Sequence, residues 1–263
     1  MDRPAVCFLD SGVGGLPYLR AARGYLPGFR LVYIADREYY PFGTREPEEL
    51  RKHLIARVEE VIERYSPVCV VLACNTATVV ALSDLRERFP IPFVGVVPAI
   101  KPAAEHTNGK RIAVLATSRT VREQYVADLV GRFAPDREVV AVERGPTVDF
   151  VEERWAQSSS QERTSAAGEA LASLDLESTG AVVLGCTHFV FLRPYMETLL
   201  PREVQVIDSV DGVARQIGRV CGKNVRSGAR EVPDLLIVTG IGPFPRGYAD
   251  LSREFGLHLQ QGL

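Results

Sequence analysis

Short, unbroken apolar runs alternate with longer amphipathic stretches along this chain, and that rhythm narrows the fold more than any other feature. Residues 5–10, 31–35, 68–73, 93–97, 111–116, 138–142, 181–185, 204–207 and 235–239 read as strands. Most are continuously apolar, as expected of strands covered on both faces in a parallel sheet. Between them, Leu50, Leu54, Val58, Ile62 and Tyr65 recur near one face of a segment that Pro47 can open at a first-turn position. His53 falls on what reads as a solvated face of that helix. Similar helices are predicted near 77–89, 120–133, 161–174, 190–199 and 211–221. Strand–helix alternation of this kind predicts an α/β, doubly wound fold with mainly parallel sheets.

The pattern breaks once, at "PIPFVGVVPAIKPA", with prolines at 90, 92, 98 and 102. Such a stretch suits a crossing between two domains. On either side of it lies a strand ending in a cysteine: "VVLACNT" at 70–76 and "VVLGCTH" at 182–188. In open α/β sheets ligands bind at the carboxyl ends of strands. Both cysteines, and Asp10-Ser11 after the first strand, are placed there.

Composition excludes several classes. A formal charge of −2, from 31 bases and 33 acids mixed throughout, gives no nucleic-acid or membrane surface. No apolar stretch approaches the roughly 20 residues needed to span a bilayer, and the first run lacks a signal-peptide pattern. Five cysteines in 263 residues fit free thiols in a reducing cytoplasm. "LDSGVGGLPYL" fails the G-x-G-x-x-G test, and no phosphate-binding loop occurs elsewhere. A carboxylate such as Asp10, directly after a buried strand, is costly without a partner or a task. Metal-ligand spacings are absent and the four histidines are scattered. No G-x-S-x-G elbow occurs, and dithiol redox chemistry would need two cysteines to meet in space. Cys7, Cys69 and Cys221 read as buried small hydrophobes, whereas Cys74 and Cys186 sit just past strand ends with polar neighbours.

Together, "FLDSGVGGL" (8–16), "YYPFG" (39–43), "ACNTAT" (73–78), "VLATSRTVREQY" (114–125) and "GCTHFVFL" (185–192) resemble the glutamate racemase branch of the aspartate/glutamate racemase family. "VTGIGPF" (238–244) matches more weakly. The resemblance implies a cofactor-independent enzyme interconverting L- and D-glutamate, the D-form serving peptidoglycan. It implies two similar α/β domains with the active site in the inter-domain cleft. The first is 1–97 completed by 208–263 and carries Asp10 and Cys74; the second is 98–207 and carries Cys186.

Inversion at an α-carbon explains two cysteines: a proton leaves one face and another arrives on the opposite face. A free thiol, with a pKa of about 8.5, can be tuned to either state near neutral pH. By the resemblance, Cys74 and Cys186 exchange roles, with Asp10 assisting on the first side and His188 on the second. A further acid near Cys186 is expected. Counting from Pro146 favours Glu153, and its neighbour Glu152 is not separated from it. Asp10, Ser11, Phe42, Gly43, Asn75, Thr76, Thr187 and His188 would hold the substrate, and Thr117 and Thr120 line or support its site. No metal or cofactor is implied; the partner is the small-molecule substrate, and a homodimer is common in such enzymes.

Departures from the family pattern are Phe42 for a usual Tyr, Val190 for a usual proline, and "ERGPTVDFVEE" (143–153) for a more hydrophobic stretch. They bear on rate and substrate preference more than on reaction type. The alternatives are an aspartate racemase, another two-cysteine isomerase, or a non-catalytic amino-acid-binding protein. A side chain one methylene shorter differs by only roughly 1–3 kcal/mol in a pocket. With no extension before the first strand, regulation by a peptidoglycan precursor is not implied.

Overall fold

The computed structural model describes residues 3–107, 110–117, 124–222, 232–241 and 243–263. It divides into two compact units, Met1–Val96 with Val210–Leu263, and Val97–Ser209. Both are α/β with parallel sheets, as the alternation of runs predicts.

The first unit holds β1 (Ala5–Asp10), β2 (Arg30–Ala35), β3 (Cys69–Leu72) and β4 (Phe93–Gly95), and later β9 (Leu235–Val238) and β10 (His258–Gln261). Their order across the sheet is β10-β9-β2-β1-β3-β4, and every pairing is parallel. Alternate strand residues feed opposite layers. Ala5, Cys7, Leu9, Val32, Ile34, Val70 and Leu72 form one core cluster with Leu50, Leu54, Val58 and Val61 of the helix Pro47–Tyr65. Ala77, Val80, Ala81 and Leu85 of the helix Asn75–Arg88 join the same layer. Tyr33 and Phe8 point the other way, where the helices Leu16–Arg23 and Val210–Cys221 pack together.

The second unit holds β5 (Arg111–Ala116), β6 (Val139–Glu143), β7 (Thr179–Leu184) and β8 (Gln205–Ile207), in the order β6-β5-β7-β8, again parallel. This order repeats the β2-β1-β3-β4 portion of the first sheet. In each unit the chain leaves a central strand, lays its successor on one side, then crosses to the other.

Three details differ from the sequence reading. β10 and the helices Ile100–His106, Gly145–Glu153 and Gly247–Glu254 are absent from that reading. Helix Asn75–Arg88 begins directly after Cys74, which caps it with extended backbone. His53 is not solvated: Asp36 Oδ2 lies 2.6 Å from its Nε2, and the ring stacks on Tyr39.

Candidate active site

The crevice of an open parallel sheet lies where successive connections depart to opposite sides. In the first unit that point is between β1 and β3. Asp10, fully buried, ends β1 and turns its carboxylate onto the loop that follows. Oδ1 accepts from the Ser11 N–H at 2.7 Å, while Oδ2 accepts from the Gly15 N–H at 2.8 Å and the Tyr33 hydroxyl at 3.0 Å. Tyr33 reaches it because Phe8 pairs with Tyr33 in register, putting both on the face that Asp10 shares. No sequence signal marked Tyr33. The glycine at 15 is obligatory on space alone: an added Cβ would stand 2.5 Å from Ala73 Cβ and 2.8 Å from Ala73 O. The Asp-Ser-Gly loop is thereby pressed against the residue that precedes Cys74.

Cys74 is buried at the start of helix Asn75–Arg88, near backbone N–H groups that favour negative charge. Thr78 locks this start: its hydroxyl donates to the Cys74 carbonyl at 2.9 Å and accepts from the Val96 N–H at 3.0 Å. Thr76 is buried in the same turn. Asn75 is buried too, yet neither end of its carboxamide has a hydrogen-bond partner among the described residues. Such a group ordinarily costs about 1–3 kcal/mol, a cost that hydrogen bonds from a polar ligand would remove. Phe42, fully buried, belongs to the apolar cluster that contains Cys74, and half-buried Gly43 follows it in a short 3-10 turn.

The second unit repeats the arrangement between β5 and β7. Gly185 donates its N–H to the Leu115 carbonyl at 2.7 Å, and a Cβ there would meet that same oxygen at 2.8 Å. Cys186 follows with backbone angles of −135° and 139°, against −137° and 129° at Cys74, and caps the 3-10 helix Thr187–Leu192. Thr117 stands just beyond β5, and Thr187 is buried. Thr120 lies outside the described residues.

Beyond this shared frame the second unit adds an imidazole. His188 Nδ1 is 3.7 Å from Cys186 Sγ, and Nε2 is 3.0 Å from Glu152 Oε2. The acid beside His188 is therefore Glu152, not Glu153. One residue is a 100° rotation on a helix: Glu152 shares the buried face of Thr147, Val148 and Val151, and Glu153 turns outward. Glu153 instead lines a cavity of about 420 Å³ with Asp149, Phe150 and Glu169. The spacing 148, 151, 152 carried this signal, but only once a helix is placed there.

Burial opposes charge on His188, and the hydrogen bonds to Cys186 and Glu152 outweigh it, raising its pKa well above the ordinary value. As imidazolium, His188 donates one N–H to the sulfur and the other to the carboxylate. The trio can thus accept or return a proton at Cys186 while keeping positive charge beside it. Among the described residues no cluster of His, Cys, Asp or Glu could hold a metal ion, and no helix is long and apolar enough to cross a membrane.

The Asp/Glu/hydantoin racemase family model matches residues 18–217. The chain is 40% identical over 262 residues to the glutamate racemase of Mesorhizobium japonicum, covering 98% of this chain and 99% of the relative. It is 37% identical over 263 residues to the glutamate racemase of Brucella anthropi, covering 98% and 93%. Among solved structures, Escherichia coli glutamate racemase in complex with L-glutamate and the activator UDP-MurNAc-ala superposes with a TM-score of 0.88. That pair is 31% identical, over 99% of this chain and 98% of the other.

Proposed function

The chain belongs to the Asp/Glu/hydantoin racemase family, and from that membership we propose that it interconverts L- and D-glutamate with Cys74 and Cys186 as its two proton-transfer groups. One observation carries the assignment of these two cysteines. They occupy the same position in the four-strand order that the two sheets share, each just past the central crossing and each capping a helical turn. Catalysis of inversion needs a base for one face of the α-carbon and an acid for the other, and two equivalent thiols supply both.

In the proposed reaction one cysteine, as thiolate, removes the Cα proton, and the other, as thiol, delivers its proton to the opposite face. The two exchange states with each turnover. Carbanion character at Cα is unfavourable, so fixed dipoles must stabilise it without reorganising. Ser11, Asn75, Thr76 and the backbone at Phe42–Gly43 serve this on the Cys74 side, and Thr187 on the Cys186 side. Asp10 fixes negative charge and geometry beside Cys74. His188, held by Glu152, manages the proton at Cys186. The unpartnered Asn75 carboxamide supports a polar ligand at this place. D-glutamate made in this way feeds peptidoglycan synthesis in the cytoplasm.

The test is racemisation in D₂O, without pyridoxal phosphate or metal, with L-glutamate and L-aspartate compared. Glutamate is expected to racemise and its product to carry deuterium at Cα. Cys74→Ala and Cys186→Ala are each expected to abolish racemisation while keeping the native circular dichroism. Full racemisation by either variant would refute the two-base assignment, and faster turnover of aspartate would refute the substrate.

A further inference from the structure

In the first unit a buried carboxylate that takes no part in the chemistry above anchors the segment leading to Phe42 and Gly43. Asp36 stands one residue past β2, completely buried, and donates its backbone N–H to the Asp10 carbonyl at 2.7 Å. Its side chain accepts from the Thr239 hydroxyl at 2.6 Å, meets His53 Nε2 at 2.6 Å and lies 3.4 Å from Arg57 Nη2. Burial works against this charge, but His53, Arg57 and Thr239 prevail and hold the carboxyl below its usual range. Isolated, such a buried charge would cost several kcal/mol.

The same partners grip the chain that follows. Thr239 Oγ1 accepts from the Glu38 N–H at 3.2 Å, and Arg57 also holds the Glu38 carboxylate. The His53 ring lies 4.2 Å from the Tyr39 ring at 12°, stacked, and meets Phe42 edge-on at 6.4 Å. Arg45 turns back to donate to the Tyr39 and Tyr40 carbonyls, each at 3.1 Å. The Phe42–Thr44 turn then packs on helix Asn75–Arg88, which Cys74 caps. Phe42 has no hydroxyl, so its ring is held by packing.

We propose that His53 and Asp36 are positioning residues for racemisation, clamping Tyr39 and Phe42 so that the backbone at Phe42–Gly43 meets the substrate beside Cys74. The inference rests on the glutamate racemase reading. Loops are the mobile part of a fold, and backbone donors bind well only when held within a fraction of an ångström of their productive place. A stacked imidazole fixed by a buried carboxylate supplies that rigidity. It lowers the ordering cost of binding without touching the reacting atoms.

Three variants dissect the clamp in steady-state racemisation, alongside wild-type protein. His53→Ala removes both ring and donor, His53→Phe keeps a ring, and His53→Gln keeps an N–H. His53→Ala is expected to raise KM for glutamate about tenfold or more, since the lost contacts serve binding, with kcat within about threefold. His53→Phe and His53→Gln should each recover part of that loss. A merely structural role lowers the active fraction, so kcat falling with the melting temperature at unchanged KM overturns the proposal. Should His53→Ala fail to fold, Tyr39→Leu leaves the His53–Asp36 pair intact and must raise KM likewise; an unchanged KM there also overturns it. Wild-type protein that does not racemise glutamate overturns the activity and this inference together. An active wild type with unaltered variant KM overturns this inference alone.

Discussion

Gly15→Ala is the smallest change that presses the Asp10 loop into the Cys74 segment. Gly15 has a φ of −81°, which alanine adopts without strain, so the whole effect is steric. The new Cβ would lie 2.5 Å from Ala73 Cβ, 2.8 Å from Ala73 O and 2.9 Å from the Tyr33 hydroxyl. Carbons pack at about 3.5–4.0 Å, so one side must yield by roughly 1 Å. Ala73 cannot yield cheaply, because its N–H is bonded to the Leu9 carbonyl at 2.8 Å within the sheet frame.

Overpacking of this kind costs about 1–3 kcal/mol. If the loop moves instead, the Gly15 N–H bond to the Asp10 carboxylate stretches, a charge-assisted bond contributing about 1.5–3 kcal/mol. Either response costs roughly 1–3 kcal/mol, which corresponds to a fall in melting temperature of about 2–12 °C in a chain of this size. A displacement near 1 Å beside a reacting group costs on the order of 100-fold in rate. Calorimetry and a coupled racemisation assay read the two effects. Gly24→Ala is the control: the same helix ends there at a φ of −65°, with nothing within 4 Å of the added methyl. It should be neutral or stabilise by about 0.4–1 kcal/mol. A Gly15→Ala protein melting within about 1 °C of wild type, with wild-type turnover, would refute the close-approach argument.

Glu152→Gln should cut racemisation severely while Glu153→Gln leaves it near wild type; equal losses would contradict the helix face assigned to Glu152. The raised pKa of His188 also sets a pH dependence. Its stabilising contribution is complete below the unfolded value of about 6.5 and is lost as pH rises through the higher folded value. Urea unfolding across neutral to alkaline pH should show that decline in wild type and a flatter profile in Glu152→Gln. Asn75→Leu removes a buried, unpartnered carboxamide and should hold or raise stability, by about 1–3 kcal/mol, while raising KM for glutamate; a destabilised variant with unchanged KM would contradict it.

Some of these features were legible in the sequence, and others depend on contacts across it. β1 could be placed because an apolar run ends at a carboxylate, and the Cys74 and Cys186 turns because each follows such a run. β10 could not, since His-Leu-Gln-Gln pairs through its backbone and offers no apolar pattern. His53 read as solvated because its partner, Asp36, is 17 residues away and on another element. Tyr33 met Asp10 only through strand register. Glu152 was separable from Glu153 by helical phase, but "GPTVDFVEE" carries a proline and two adjacent acids that obscure the period.

The strand order of the first unit also sets a sequence of assembly. β9 lies beside β2, with Leu31 bonded to Asp234 across 203 residues of chain. Synthesis proceeds from the amino terminus, so Val97–Ser209 emerges whole and can collapse on local contacts while the six-stranded sheet still lacks two members. Until the carboxyl-terminal segment arrives, the backbone N–H and C=O groups from Val32 to Ala35 form an open edge on an apolar strand, the kind that recruits other chains. β10 then closes the row with histidine and glutamines, and polar side chains on a short outermost strand give a neighbour little to hold. The residues that look least informative in this chain are the ones that end its sheet.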